Sequence, residues 1–276
     1  NPTPLKIGKN IFRIYFSGRD KYNRSSISAF DYNIKEMKII KDFNSPLFTF
    51  GQVDSYFSHG VTPCCFYSID NILYLSFMGW HIPTNGHWEC QIGRLKVKNN
   101  GFLIYEDQKP LIPKSTYDPI SLSYPFILKK SDNLFLIWYG STISWDCGNG
   151  EMLHIIKGAR ASDGLNWKTN DSILPFSIGE LQAFSRPTVI ESTDKIEMWF
   201  CYRKNKNTKY RIGYAYSHNN MDWTIKNEIV GIDISKNGWD NEMICYPYVF
   251  KHDGEKYMLY NGNRYGETGI GIAILA

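Results

Sequence analysis

No run of about 18 consecutive apolar residues occurs in this 276-residue chain, so no membrane-spanning helix is expected. Charge of one sign is not in excess either, since 31 Lys and Arg face 27 Asp and Glu for a net +4. That balance lacks the basic stripe of a nucleic-acid binder, and no nucleic-acid partner is expected. The six cysteines, at 64, 65, 90, 147, 201 and 245, never form a CxxC pair. They are too few for a disulfide scaffold and lack structural-zinc spacing. Several sit in apolar runs, as Cys201 does in Met198-Trp199-Phe200-Cys201-Tyr202, and read as small core residues of a protein in a reducing cytoplasm. His81, His87 and Cys90 are loosely spaced like metal ligands, but Trp80 and Trp88 beside them suit a sugar-stacking loop better. No metal is assigned. A GxGxxG turn, a phosphate-binding P-loop and a GxSxG elbow are all missing, and no cofactor is assigned. The chain opens Asn1-Pro2-Thr3-Pro4, without an initiator methionine or a signal-peptide pattern, so further residues are expected upstream.

What is abundant is aromatic and strand-forming chemistry, in a repeat. With 43% hydrophobic and 16% aromatic residues the chain can bury a sizeable core. Proline recurs at 4, 63, 125, 187 and 247, in steps of 59, 62, 62 and 60. After each proline an aromatic strand ends at a near-constant distance: Tyr15-Phe16-Ser17-Gly18, Phe77-Met78-Gly79, Trp138-Tyr139-Gly140, Cys201-Tyr202-Arg203 and Leu259-Tyr260-Asn261-Gly262. A glycine-bearing strand follows, with Gly93, Gly158, Gly213 and Gly271. Each unit holds about four short aromatic or β-branched strands broken by Asn, Asp, Gly and Lys turns. Helical periodicity with caps is absent. A two-sheet sandwich explains the strands but not the repeat, whereas radially repeated four-stranded units make a propeller. The sequence therefore predicts one all-β domain over 1–276, a five-bladed β-propeller with four-stranded antiparallel blades. The fifth blade runs out after its third strand at Gly271-Ile272-Ala273-Ile274-Leu275-Ala276. Its fourth strand is expected from the upstream segment, or the blade stays three-stranded.

The repeat also predicts which residues share a face. Those just before each repeated proline should ring one mouth, with those just after each aromatic strand. An acidic residue precedes the proline in four blades: Asp54 by nine, Asp118 and Glu180 by seven, Glu242 by five. Arg19, Asp20, Trp80, Arg203 and Arg264 follow the aromatic strands, while His59, Arg186, Asp240 and Tyr246 join from the proline side. Aromatics stack on apolar ring faces and Asp and Arg bond vicinal hydroxyls, so the mixture suits a carbohydrate or glycoside ligand.

Five blades, aromatic strands followed by glycine, and the segments Ala161-Ser162-Asp163-Gly164-Leu165-Asn166-Trp167 and Ser217-His218-Asn219-Asn220-Met221-Asp222-Trp223 resemble the arabinanase/levansucrase/invertase superfamily of glycosidases. The resemblance covers the whole chain as repeat architecture. It implies two carboxylates flanking a scissile glycosidic bond and a third that orients them. On this chain it assigns Glu180 as general acid, Asp54 as base or nucleophile and Asp118 as the orienting group, with Asp240 and Glu242 as the competing pair. In that superfamily the carboxylates often stand directly before a proline, where this chain has Thr62, Tyr124, Arg186 and Tyr246. The departure leaves two readings: a glycosidase-like hydrolase, with transferase or phosphorylase variants, or a non-catalytic module that binds a sugar or nucleotide sugar. Arginines 19, 186, 203 and 264 are the groups that would hold a phosphate, a diphosphate or a carboxylated sugar.

Overall fold

A computed structural model describes residues 1–107 and 109–275. The chain divides into two compact units, Asn1–Pro113 and Lys114–Ala276. The first unit holds two antiparallel sets. One is β1 (Thr3–Lys6), β2 (Ile11–Arg19), β3 (Ser25–Asn33) and β4 (Lys38–Asp42), and the other is β5 (Gly60–Ile69), β6 (Ile72–His81), β7 (Glu89–Val97) and β8 (Leu103–Ile104). A single parallel bridge, Ser25 to Gly60, joins them. The second unit holds three sets. They are β9 (Ser121–Ser131), β10 (Leu134–Ser144), β11 (Leu153–Ala161) and β12 (Lys168–Ile173), then β13 (Gln182–Glu191), β14 (Ile196–Arg203), β15 (Arg211–Ser217) and β16 (Thr224–Ile225), then β17 (Cys245–His252), β18 (Glu255–Asn261) and β19 (Ile270–Leu275). Each set is a meander in chain order, as short polar turns between strands require. The last has three strands among the described residues.

The markers in the sequence are consequences of packing within each set. Each third-strand glycine faces a second-strand aromatic: Gly93 opposite Phe77, Gly158 opposite Trp138, Gly213 opposite Phe200 and Gly271 opposite Tyr260. The ring lies flat across the gap. A Cβ on Gly271 would fall 2.6 Å from the rings of both Tyr260 and Trp239, and one on Gly213 would fall 2.7 Å from Phe200. Aromatic cover of a cross-strand glycine pins the register and fills the space a side chain would take. Gly271→Ala is expected to cost about 1–3 kcal/mol through overpacking, measurable as a lower urea midpoint at unchanged m-value.

In the second unit the first strands of the three sets pack beside one another, β13 between β9 and β17. Thr188 Oγ1 on β13 donates to the Pro247 carbonyl on β17 at 2.7 Å. This places three strand entries, each with its proline, side by side. The first unit is closed by Tyr15, Ile27, Phe57, Val61, Leu75, Phe77 and Leu95. Among the described residues no helix is long and apolar enough to cross a membrane.

Candidate functional site

Backbone strain marks one place in the second unit. Among the described residues fourteen non-glycine residues have positive φ, and seven of them are the Asn and Asp of ordinary turns. Of the other seven, Tyr124 (46°), Ala183 (47°), Arg186 (53°), Tyr246 (54°), Arg264 (53°) and Tyr265 (61°) lie at the entries of β9, β13 and β17 or in the turn after β18. For bulky residues the left-handed region costs about 1–3 kcal/mol each and persists only where the surroundings over-determine it. Tyr124, Arg186 and Tyr246 each stand directly before the repeated proline, where an extended conformation is the norm. Thr62, at that register in the first unit, has no such strain.

The strained residues converge. The rings of Tyr124 and Tyr246 are 5.3 Å apart, and those of Tyr246 and Tyr265 are 6.3 Å apart. Tyr210 lies edge-on to Tyr265 at 6.0 Å. Arg186 is fully buried, with its guanidinium 5.6 Å over the Tyr248 ring. Burial pushes the Tyr210 and Tyr246 phenols well above their ordinary range, so both are neutral donors. Glu151, in the loop between β10 and β11, enters the same cluster and is 3% exposed. Arg203 Nη2 donates to its Oε1 at 2.8 Å, while Nε faces Oε2 at 2.5 Å, close enough for an ion pair but out of line for a hydrogen bond. Gln182 braces the loop, donating from Nε2 to the Glu151 and Met152 carbonyls at 3.1 Å each. Under the entry of β9, His154 is clamped between Ser123 Oγ at Nε2 and Thr142 Oγ1 at Nδ1, both at 2.7 Å. Ser123 is buried and the third member is a threonine, so the Ser–His contact lacks an exposed nucleophile and a carboxylate.

The carboxylates named from the sequence are spread over different environments. Asp118 is buried, and its Oδ1 accepts from Ser141 Oγ at 2.6 Å and Lys157 Nζ at 3.0 Å, its Oδ2 from the Tyr139 hydroxyl at 2.9 Å. Asp240 is buried likewise and accepts from the Tyr260 hydroxyl at 2.9 Å, with Trp239 stacked on that ring at 5.5 Å. Both lie seven residues before their proline, so Asp240 rather than Glu242 is the counterpart of Asp118. Glu180 also lies seven before its proline, but the residue in register with Tyr139 and Tyr260 is Phe200, which has no hydroxyl to draw it inward. Glu180 stays exposed and pairs with Lys204 at 2.7 Å. Glu242 is exposed, and Arg264 pairs with Glu267 at 3.4 Å.

In the first unit Arg19, Trp80 and His59 come together. The Arg19 guanidinium lies 5.0 Å over the Trp80 ring, His59 is 5.7 Å from it, and the indole Nε1 donates to Ser25 Oγ at 2.8 Å. Asp20 turns onto its own loop, accepting from the Tyr22 and Arg24 amides at 2.9 Å. Those backbone bonds, the Arg24 amide foremost, lower its pKa. Asp54 occupies an exposed left-handed turn position at the lip of a cleft lined by Phe48, Phe50, Tyr56 and Tyr105. Among the described residues no three His, Cys, Asp or Glu side chains are arranged to hold a metal ion. Glu151, Tyr124, Tyr210 and Tyr265 were not assigned from the sequence. Tyr124 stands at the pre-proline register and Tyr265 just after an aromatic strand, so both had a positional signal, whereas Glu151 had none.

Fold and strand repeat together define a protein with the β-propeller fold. Its architecture is similar to that of a thermostable family-43 glycoside hydrolase (TM-score 0.70, 17% identity, 99% of this chain and 87% of that one). It is similar also to an endo-arabinase from Bacteroides thetaiotaomicron (0.67, 14%, 99% and 92%) and to a structure from the GH130 family of mannoside phosphorylases and glycoside hydrolases (0.68, 14%, 99% and 83%). No family model matches the chain. By sequence it belongs to the family of two uncharacterized proteins of Mycobacterium tuberculosis, MT1551 of strain CDC 1551 / Oshkosh and Rv1502 of strain H37Rv. It is 34% identical to each over 276 residues, covering 99% of this chain and 91% of theirs.

Proposed function

We propose that this protein is a carbohydrate-active, glycosidase-like propeller that takes a glycoside against the tyrosine cluster of its second unit. The observation that carries the reading is the concentration of bulky left-handed residues, Tyr124, Arg186, Tyr246, Arg264 and Tyr265, at the strand entries. Strain of that kind is retained where a side chain must be aimed at something. The aimed groups are tyrosine rings and arginines, which stack on sugar faces and bond their oxygens. The general-acid role falls to Glu180. Asp118 is held by three donors, and its role is to orient.

A second reading, binding without turnover, is favoured by the tyrosine–arginine–tyrosine series at the register where the superfamily it resembles often carries carboxylates. A panel of aryl glycosides, run with and without inorganic phosphate beside calorimetry on the same compounds, separates the two. Under the enzymatic reading Glu180→Gln lowers turnover by about a hundredfold or more, with affinity nearly unchanged. Near-wild-type turnover in both Glu180→Gln and Asp54→Asn would end the assignment of those carboxylates. Binding with no turnover of any glycoside would establish the module.

A further inference from the structure

The turn that carries Tyr265 is held from both sides. Asn263 Oδ1 accepts from the Glu242 and Met243 amides at 2.9 and 3.0 Å, and Asn263 Nδ2 donates to Asn241 Oδ1 at 2.9 Å. Asn261 Nδ2 donates to the Tyr265 carbonyl at 2.7 Å, and Thr268 Oγ1 to the Trp239 carbonyl at 2.7 Å. Two consecutive left-handed residues, Arg264 and Tyr265, are the outcome. Tyr265 nevertheless remains 49% exposed. Its hydroxyl accepts from Arg203 Nη1 at 3.3 Å, and Arg203 is in turn fixed by the buried Glu151. Glu151, Arg203 and Tyr265 come from three successive strand sets, so this relay ties the ring to the whole face.

We propose that Tyr265 is the ring on which the glycoside stacks, and that Glu151 and Arg203 are positioning residues that hold it in place. The inference rests on the glycoside reading above and names the residue that makes the contact. A half-exposed aromatic locked by backbone strain and a buried ion pair loses little freedom on binding, which is what a stacking platform needs. An exposed tyrosine with only a structural role would have no use for a left-handed backbone both at itself and at Arg264 before it.

The test uses the methyl α- and β-pyranosides of glucose, galactose and mannose as probes, followed by saturation-transfer NMR on the full chain. Amide hydrogen exchange over residues 262–269 is measured in parallel. Tyr265→Ala is expected to weaken binding of whichever pyranoside the wild type takes by about tenfold or more, while Tyr265→Phe keeps the ring and most of the binding. Glu151→Gln, which keeps the shape and removes the charge, is expected to speed exchange in 262–269 and to weaken the same pyranoside severalfold. Wild-type binding by Tyr265→Ala overturns the stacking role, and unchanged exchange in Glu151→Gln overturns the positioning role. If no methyl pyranoside transfers to the wild type, the glycoside reading fails and takes the stacking role with it. The exchange result still decides whether Glu151 positions the turn.

Discussion

Arg203→Leu is expected to destabilise the protein by about 3–5 kcal/mol, because it leaves the buried Glu151 carboxylate without its guanidinium partner. Glu151→Gln is expected to cost far less. The Arg203 side chain is a fifth exposed and can turn toward solvent, whereas the Glu151 side chain, 3% exposed, cannot. The double variant Arg203→Leu/Glu151→Gln should therefore recover much of the loss. Urea unfolding of the three variants at neutral pH measures this, and equal costs for the two single changes would show that burial of the charge is not what matters.

Acidification should expose a second weak point. Burial holds the His154 imidazole neutral and pushes its pKa down from 6.5 to about 4. Between those values the unfolded chain binds a proton that the folded one refuses, so stability falls as pH drops. The slope is about 1.4 kcal/mol per pH unit, amounting to about 3 kcal/mol by pH 4. The loss begins below pH 6.5 and is complete below about pH 4, with nothing lost above neutrality. Carboxylates also contribute to acid sensitivity, so the decisive measurement is the difference between wild type and His154→Gln over pH 4–7. Parallel profiles would mean that Ser123 and Thr142 accommodate the charged ring. The site gives this consequence a functional edge, because Ser123 immediately precedes strained Tyr124, and loosening His154 loosens the β9 entry.

These two groups also show where sequence reading stops. The repeat was legible because its markers are steric necessities: a proline beginning each first strand, an aromatic on the second, a glycine opposite it on the third. The register of Tyr124, Arg186 and Tyr246 was legible for the same reason. Their left-handed backbone was not, since neither tyrosine nor arginine signals it and a following proline argues against it. The fate of the acids at the seventh position before the proline depends on a partner one strand away. Asp118 and Asp240 are drawn in by Tyr139 and Tyr260, and Glu180 is left out by Phe200. Glu151 lies in Trp145-Asp146-Cys147-Gly148-Asn149-Gly150-Glu151, whose sequence is not repeated in the corresponding loops of the other sets, so no periodicity points to it. Its importance appears only when Arg203 is seen to reach it from the next set.

The glycines opposite the aromatic rings bear on how any mutational survey of this family would look. A side chain on Gly93, Gly213 or Gly271 would collide with an aromatic ring, for reasons of space alone. In a saturation library scored by growth or by turnover, they would register as intolerant as a residue that touches substrate. An intolerance map read without coordinates would thus mark the middle of the third strands as reactive centres. The tyrosines at the strand entries, where Phe can stand in for Tyr, would score as more permissive. For this fold, invariance and chemistry point to different residues, and a change that preserves the ring while deleting the hydroxyl is the more telling probe of a binding face.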